Sequence, residues 1–199
     1  MILKHCRSLF SALIVLVLTS CVAPSSPPPN YYLLTAQAVS AQASLADVSL
    51  GVGPVRVAPF LERVQLVSHD GRAGLTVDGR HRWAEPLDKG IQRVMVQNLA
   101  ALTGAQTRNF PWSRSAIPQR ALRIDVLDLN SQGQEAVLEV LWVVEDLGGE
   151  QAPLRGREKL SQPLGDDSPA AQVLAYSRLL DNLAQNIAAR LERVVEGVQ

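Results

Sequence analysis

Glu135-Ala136-Val137-Leu138-Glu139-Val140-Leu141-Trp142-Val143-Val144-Glu145-Asp146 is the stretch that decides how this chain folds. Ala136, Leu138, Val140, Trp142 and Val144 fall on one face at the period of two that marks a strand. Val137, Leu141 and Val143 make the other face apolar as well, so a central strand buried on both sides is expected. Gly148-Gly149 turns the chain back. Residues 154–160 then read as its antiparallel partner, with Arg155, Arg157 and Lys159 on the wet face. Upstream, Leu122-Arg123-Ile124-Asp125-Val126 alternates strictly and is a strand, and Ser131-Gln132-Gly133-Gln134 is a turn.

Outward from this hairpin, Ser168 caps a long helix and Pro169 sits in its first turn, where a missing N–H costs least. Val173, Tyr176, Leu180, Leu183, Ile187, Leu191 and Val194 recur at three- and four-residue steps as one apolar stripe. A second helix opens at Glu85-Pro86-Leu87-Asp88, buries Ile91, Val94, Met95, Leu99 and Leu102, and stops at Gly104. Tyr31-Tyr32-Leu33-Leu34-Thr35 reads as a first strand. Ala36 to Asp47 reads as a loop with room for a short helical piece. In Val48-Ser49-Leu50-Gly51-Val52-Gly53-Pro54-Val55-Arg56-Val57-Ala58-Pro59 the alternation predicts a strand. Gly51 and Gly53 imply a bulge or a close backbone approach, and the prolines push parts of it toward a sheet edge. Val64–Ser68 and Ala73–Val77 are short strands around an Asp70-Gly71 turn, and a second turn is expected at Asp78-Gly79. The expected fold class is α/β: a single domain with a mixed, largely antiparallel twisted sheet packed by two main helices.

The N-terminus is not part of that domain. Lys4 and Arg7, with no acid among the first twenty residues, precede the apolar run Leu9–Leu18. The run is too short for a bilayer core, which needs roughly 20 residues, and has the form of an export signal. Leu18-Thr19-Ser20-Cys21 resembles the lipobox of bacterial lipoproteins. That resemblance implies cleavage between Ser20 and Cys21, a diacylglycerol on the Cys21 sulfur and an acyl chain on its new amine. Cys6 leaves with the signal, so no thiol or disulfide is expected in the mature chain. Val22, rather than Asp, after the lipidated residue points to sorting to the outer membrane in a two-membrane cell. Val22–Asn30 holds four prolines in nine positions. Extended polyproline geometry gives this tether a reach of roughly 28 Å. The expected organisation is a cleaved signal over residues 1–20, lipidated Cys and tether over 21–30, and a folded domain over 31–196.

Composition narrows the function. Across 199 residues, 47% apolar and 19% charged content fits a globular chain, and 19 basic residues balance 19 acidic ones. Without the signal, 17 basic residues face the same 19 acids. A nucleic-acid binder resting on phosphate neutralisation is therefore not expected. His69 and His81, twelve apart beside turns, lack partners at ligand spacing, so they read as exposed loop histidines and no metal site is expected. No G-x-S-x-G elbow occurs, and Gly51-x-Gly53 lacks the third glycine and following helix of a dinucleotide site. Asp166-Asp167 reads as acids placed before a helix N-terminus. No catalytic residue and no cofactor are expected apart from the covalent lipid.

The aromatics carry more. Trp142 reads as core. Trp83, after Arg80 and Arg82, and Trp112, in Asn109-Phe110-Pro111-Trp112, are open between core packing and partner contact. Tyr31–Leu34 follows the tether, Gly51–Val57 is followed by Phe60–Arg63 and Gln65–Val67, and Arg82–Leu87, Val140–Asp146 and the final helix from Ala170 to Ala188 come after them in that order. In these stretches the chain resembles the ABC-type transport auxiliary lipoproteins, the PqiC/YmbA-like group. Position 60 is Phe where Tyr would be expected. The resemblance implies a non-enzymatic lipoprotein, anchored on the periplasmic face of the outer membrane. It would work with an MCE-domain protein and an inner-membrane system that move lipids between membranes. Arg82, Trp83, Phe110 and Trp112 are the candidate partner contacts. A homo-oligomer is compatible with this. A free-standing lipid or hydrophobe binder and an outer-membrane assembly accessory stand as alternatives.

Overall fold

The computed structural model of the chain describes residues 27–37, 44–69, 73–149 and 151–196. Ser20, Cys21, residues 38–43 and the Asp70-Gly71 turn lie outside the described residues. The elements are β1 (Asn30–Tyr32), β2 (Ser49–Val57), β3 (Gln65–His69), β4 (Leu75–Trp83), α1 (Leu87–Thr103), β5 (Gln106–Asn109), β6 (Arg120–Gln132), β7 (Glu135–Asp146), β8 (Leu154–Pro163) and α2 (Pro169–Glu196). The class is mixed α/β with two main helices, as expected, but the strands form two sheets rather than one. A large sheet runs β5-β2-β6-β7-β8 and a small one β1-β4-β3. In the large sheet β5, β2 and β6 are parallel, and β6, β7 and β8 form antiparallel ladders in unbroken chain order.

The split has a local cause at the end of β6. The Asn130 side chain donates to the His69 carbonyl at 2.8 Å and accepts from the His69 N–H at 2.9 Å. A side-chain amide thus stands where a main-chain ladder would have joined β3 to the large sheet. The register shift between Val126 and Asp128 is a bulge at Leu127. It explains why the strict alternation stops at Val126 although the strand runs on to Gln132.

β7 matches its expected span, and Ala136, Leu138, Val140, Trp142 and Val144 are all buried. It is central in the order of strands but not buried on both faces. Leu141 is 39% exposed, and Val137 and Val143 are half-buried. Arg123–Glu145 at 3.0 Å and Arg157–Glu139 at 2.6 Å flank them on that outer face. Covering the face would strip water from these ion pairs, at a cost their attraction only partly offsets.

Three smaller expectations change. β1 ends at Tyr32, because Leu34 turns into the core and the Thr35 N–H bonds the Ser177 hydroxyl at 3.1 Å. β4 runs through Asp78-Gly79 without ending; Asp78 Oδ1 accepts from the Arg80 and His81 N–H groups, and the turn becomes a bulge inside the strand. Neither histidine is a loop residue. His69 is on β3 with Nε2 2.9 Å from the Asp128 carboxylate, and His81 is on β4 with Nδ1 2.8 Å from the Tyr32 hydroxyl. Of the Ala36–Asp47 loop, Ser44–Asp47 forms a turn.

Both helices begin, and α1 ends, as the sequence reads. Pro86 precedes α1, Gly104 closes it at φ 71°, and Ile91, Val94, Met95 and Leu99 are fully buried. The Ala171 N–H donates to Ser168 Oγ at 3.1 Å, capping α2. Both helices lie on the inner face of the large sheet. Among the described residues no helix is long and apolar enough to cross a membrane.

Candidate docking surface

The two glycines of β2 seat an aromatic loop. Gly51 is paired on both sides, with Arg108 of β5 and Ala121 of β6. A Cβ there would lie 2.5 Å from the Trp112 ring and 2.6 Å from Pro118, so only glycine lets the indole and the proline lie on the strand. Gly53 has φ +118°, a backbone that other residues rarely adopt, and a Cβ would meet Phe110 at 2.7 Å. Buried Gln92 on α1 reaches through and donates its Nε2 hydrogens to the Val52 carbonyl at 2.9 Å and the Phe110 carbonyl at 2.7 Å. The Phe110 and Trp112 rings meet edge to face at 5.1 Å, and Phe110 is 38% exposed. The close approach read from Gly51 and Gly53 is therefore the seat of Phe110 and Trp112. The sequence kept these two facts apart because some sixty residues separate them.

Beyond Val52 the β5 side of β2 is open, which is where Pro54 falls and matches the expected sheet edge. There Val55–Val57, Glu62–Val64 and Pro86–Asp88 wall an open cleft of about 520 Å³. Arg56, Glu62, Arg63 and Asp88 ring an apolar floor of Val55, Val57 and Leu87. Arg56 lies 3.8 Å from Asp125. No periodicity marks this cleft in the sequence, because three separate segments build it.

Arg82 and Trp83 are on β4 of the small sheet, away from the β2 glycines in the strand order. Trp83 is buried, with its ring tilted against Tyr176 at 6.4 Å. The space left between Leu61, Leu66, Trp83, Leu129 and Tyr176 is about 10 Å³. Burial pushes the Tyr176 hydroxyl up to about 12. Arg82 pairs in register with Tyr31 of β1 and is half-buried. Phe110 and Trp112 thus come together, whereas Trp83 joins the core beneath Arg82.

The tether meets the domain next to Arg82. Tyr31 and Tyr32 pair with Arg82 and Trp83, and the Ala84 N–H donates to the Tyr32 carbonyl at 2.9 Å. Leu34 is buried, and Arg93 Nη2 donates to its carbonyl at 2.8 Å while also binding Glu85. The Gln37 N–H donates to Asn98 Oδ1 at 3.1 Å. A pull on the tether is therefore shared among β4, α1 and α2. Elsewhere, the Ser168 hydroxyl and N–H hold the exposed Asp166 carboxyl below its usual range, and the same side chain orders the start of α2. Among the described residues no group of His, Cys, Asp or Glu is arranged to hold a metal.

What these features define is a mixed α/β domain on a Pro-rich lead, clamped where the lead enters and bearing a seated aromatic loop. The chain belongs to the ABC-type transport auxiliary lipoprotein component family, whose model matches residues 31–188. It is therefore a lipoprotein component of a transport system. The matched span begins where the tether ends. Among solved structures, an uncharacterized protein aligns with TM-score 0.69 and 20% identity over 83% of this chain and 99% of its own. A Xanthomonas campestris protein of the DUF330 family aligns with TM-score 0.68 and 16% identity over 85% and 100%. At such identities the likeness concerns the fold. No curated protein matches the chain.

Proposed function

We propose that the chain is an outer-membrane lipoprotein that docks the periplasmic MCE-domain protein of an ABC-type lipid transport system. In this reading Ser20 and Cys21 flank the cleavage site and Cys21 carries the lipid. The domain hangs in the periplasm on its tether and acts by binding rather than by catalysis. The family match carries the reading. The Gly51–Trp112 seat and the clamped tether support it, since a docking protein must present a fixed surface and transmit load to its anchor. Phe110 and Trp112 are the proposed contacts, with Arg82 beside the tether and Trp83 supporting it from within.

A free-standing lipid binder would need an apolar cavity of several hundred Å³. The core space beneath Trp83 holds about 10 Å³, roughly one water, and the large cleft is open and rimmed by charge.

The test is recovery of the full-length protein from native membranes in mild detergent, with mass spectrometry of what accompanies it. An MCE-domain protein should co-purify with the wild type. It should be lost with Trp112→Ala while thermal unfolding stays cooperative. Stoichiometric lipid without a protein partner would sink the docking role. Cys21→Ser should release the protein from the membrane fraction; retention would sink the anchor assignment.

A further inference from the structure

We propose that the free edge of β8 accepts an extended acidic segment of a partner protein as a sixth strand of the large sheet. This inference stands apart from the transport partner proposed above and rests on backbone direction, charge and an adjoining groove.

Direction comes from the β7–β8 ladder, which is unbroken from Glu135–Pro163 to Val144–Leu154. Bonded and non-bonded pairs alternate along an antiparallel ladder. The Leu164 N–H donates to the Gln134 carbonyl at 2.8 Å, one step beyond the last pair. By alternation, Gln162, Leu160, Glu158 and Gly156 spend their main-chain groups on β7. Those of Arg155, Arg157, Lys159 and Ser161 point out of the sheet. Arg190 of α2 confirms the parity independently: its Nη1 reaches the Arg155 carbonyl at 3.5 Å, from the side away from β7. Pro163 has no N–H, so the open stretch is Arg157–Ser161.

That stretch is long for an unprotected edge. The opposite edge, β5, has four residues and leads into the seated Phe110–Trp112 loop. β8 has ten residues in even alternation and no bulge. Such an edge is a template for another strand unless something specifies its partner.

Charge specifies it. Arg155, Arg157 and Lys159 follow one another at alternate positions on the outer side; the Arg157 hydrogen bond to Glu139, aided by the charges of Arg157 and Lys159, holds that carboxyl below its usual range. On the inner side α2 supplies Arg190 and Arg193 against Glu158, which also accepts from Trp142 and Asn186. Among the described residues five cations thus flank the edge against the carboxylates of Glu139 and Glu158, both already engaged. A second copy of β8 would bring its own cations against these, which is destabilising across a strand pair. Acidic side chains at alternate positions meet Arg155, Arg157 and Lys159 directly. The remaining positions of an added strand face a groove of about 400 Å³ between β8 and α2, lined by Leu160, Ala189, Arg190 and Arg193. Main-chain bonds then supply affinity and the alternate pockets specificity.

The experiment uses the full-length protein in an uncharged detergent and a fluorescent ten-residue peptide of alternating Glu and Val. Saturable binding that weakens with salt is expected, and a Lys-Val peptide of the same length should not bind. Lys159→Pro deletes an outward N–H and no ladder bond. It should weaken binding by about tenfold or more while the thermal midpoint stays within a few degrees. Lys159→Glu keeps the backbone and should weaken binding too, which covers the case of a misfolded proline variant. Residue-resolved amide exchange should slow at Arg157, Lys159 and Ser161 on binding and stay unchanged at Glu158 and Leu160. Equal binding of the Lys-Val peptide overturns the proposal, as does a folded Lys159→Pro variant of unchanged affinity. So does protection of the same three amides in the free protein with a dimer in sedimentation, which makes a second copy the occupant.

Discussion

Trp112 and Trp142 each lie on a neighbouring strand where a glycine leaves room for the ring. Trp112 rests on Gly51, and Trp142 on Gly156 of β8, where a Cβ would sit within the indole. The surroundings differ. Trp142 is 3% exposed on the inner face, its Nε1 donates to Glu158 at 3.0 Å, and Arg190 stacks on it at 5.2 Å. Trp112 is half-buried at the opposite end of the strand order, with Phe110 as its ring partner. The same local device builds a core in one place and fixes an exposed loop in the other. Residue type and strand context do not separate the two; the layer behind the ring does.

The contrast can be broken by truncation. Trp142→Ala removes a core ring and a donor to Glu158, and should cost about 3–5 kcal/mol in urea unfolding. Trp112→Ala empties a seat that water can fill and should cost about 1–2 kcal/mol at constant m-value, with its main effect on partner recovery. Equal losses would mean that the loop is core and that its docking role is misplaced.

Trp83 packs its ring against Tyr176 in the core, and the Tyr176 hydroxyl reports how dry that side is. The unfolded tyrosine begins to lose its proton near pH 10, while the folded one holds it to about 12. This contribution is complete below pH 10 and is lost as pH rises from 10 to 12. Each unit of difference is worth 1.36 kcal/mol, so the loss is about 2–3 kcal/mol. Tyr176→Phe should flatten that part of the stability curve. A variant curve parallel to the wild type would show that the hydroxyl, and the Trp83 stack with it, is wetter than the packing indicates.

Much of this was legible because short-range rules governed it. Both helix starts, the Gly104 stop and the span of β7 follow from caps and periodicity within one element. Gly51 and Gly53 announced a close approach, but its partner lay far along the chain and no local pattern names it. Arg56, Glu62 and Arg63 stood open between a functional role and holding a strand end, and the cleft they share with Pro86–Asp88 could not be assembled from the sequence for the same reason. Trp83 was left open because Arg80 and Arg82 beside it signal solvent, whereas alternation along β4 turns only its own ring inward. Ser20 and Cys21 rest on the lipobox pattern alone, and Cys21→Ser is the variant that tests them.

The outer face of β7 is where local pattern misled, and it gives the smallest effect. Val137, Leu141 and Val143 carry the apolar signature of a buried face, yet burial is decided by what can pack against them. Their cross-strand neighbours Asp125 and Arg157 flank Leu141, and Arg123 and Arg155 flank Val143. A packed layer would have to desolvate these charges, so the helices cover the other face alone. Leu141→Ser should therefore change stability by only about 0.5 kcal/mol, the range of surface substitutions. Leu138→Ala, three residues away on the inner face, should cost about 2–5 kcal/mol. A large loss at Leu141 in the isolated protein would show that another surface covers this face in solution, and a concentration-dependent loss would make that surface a second copy.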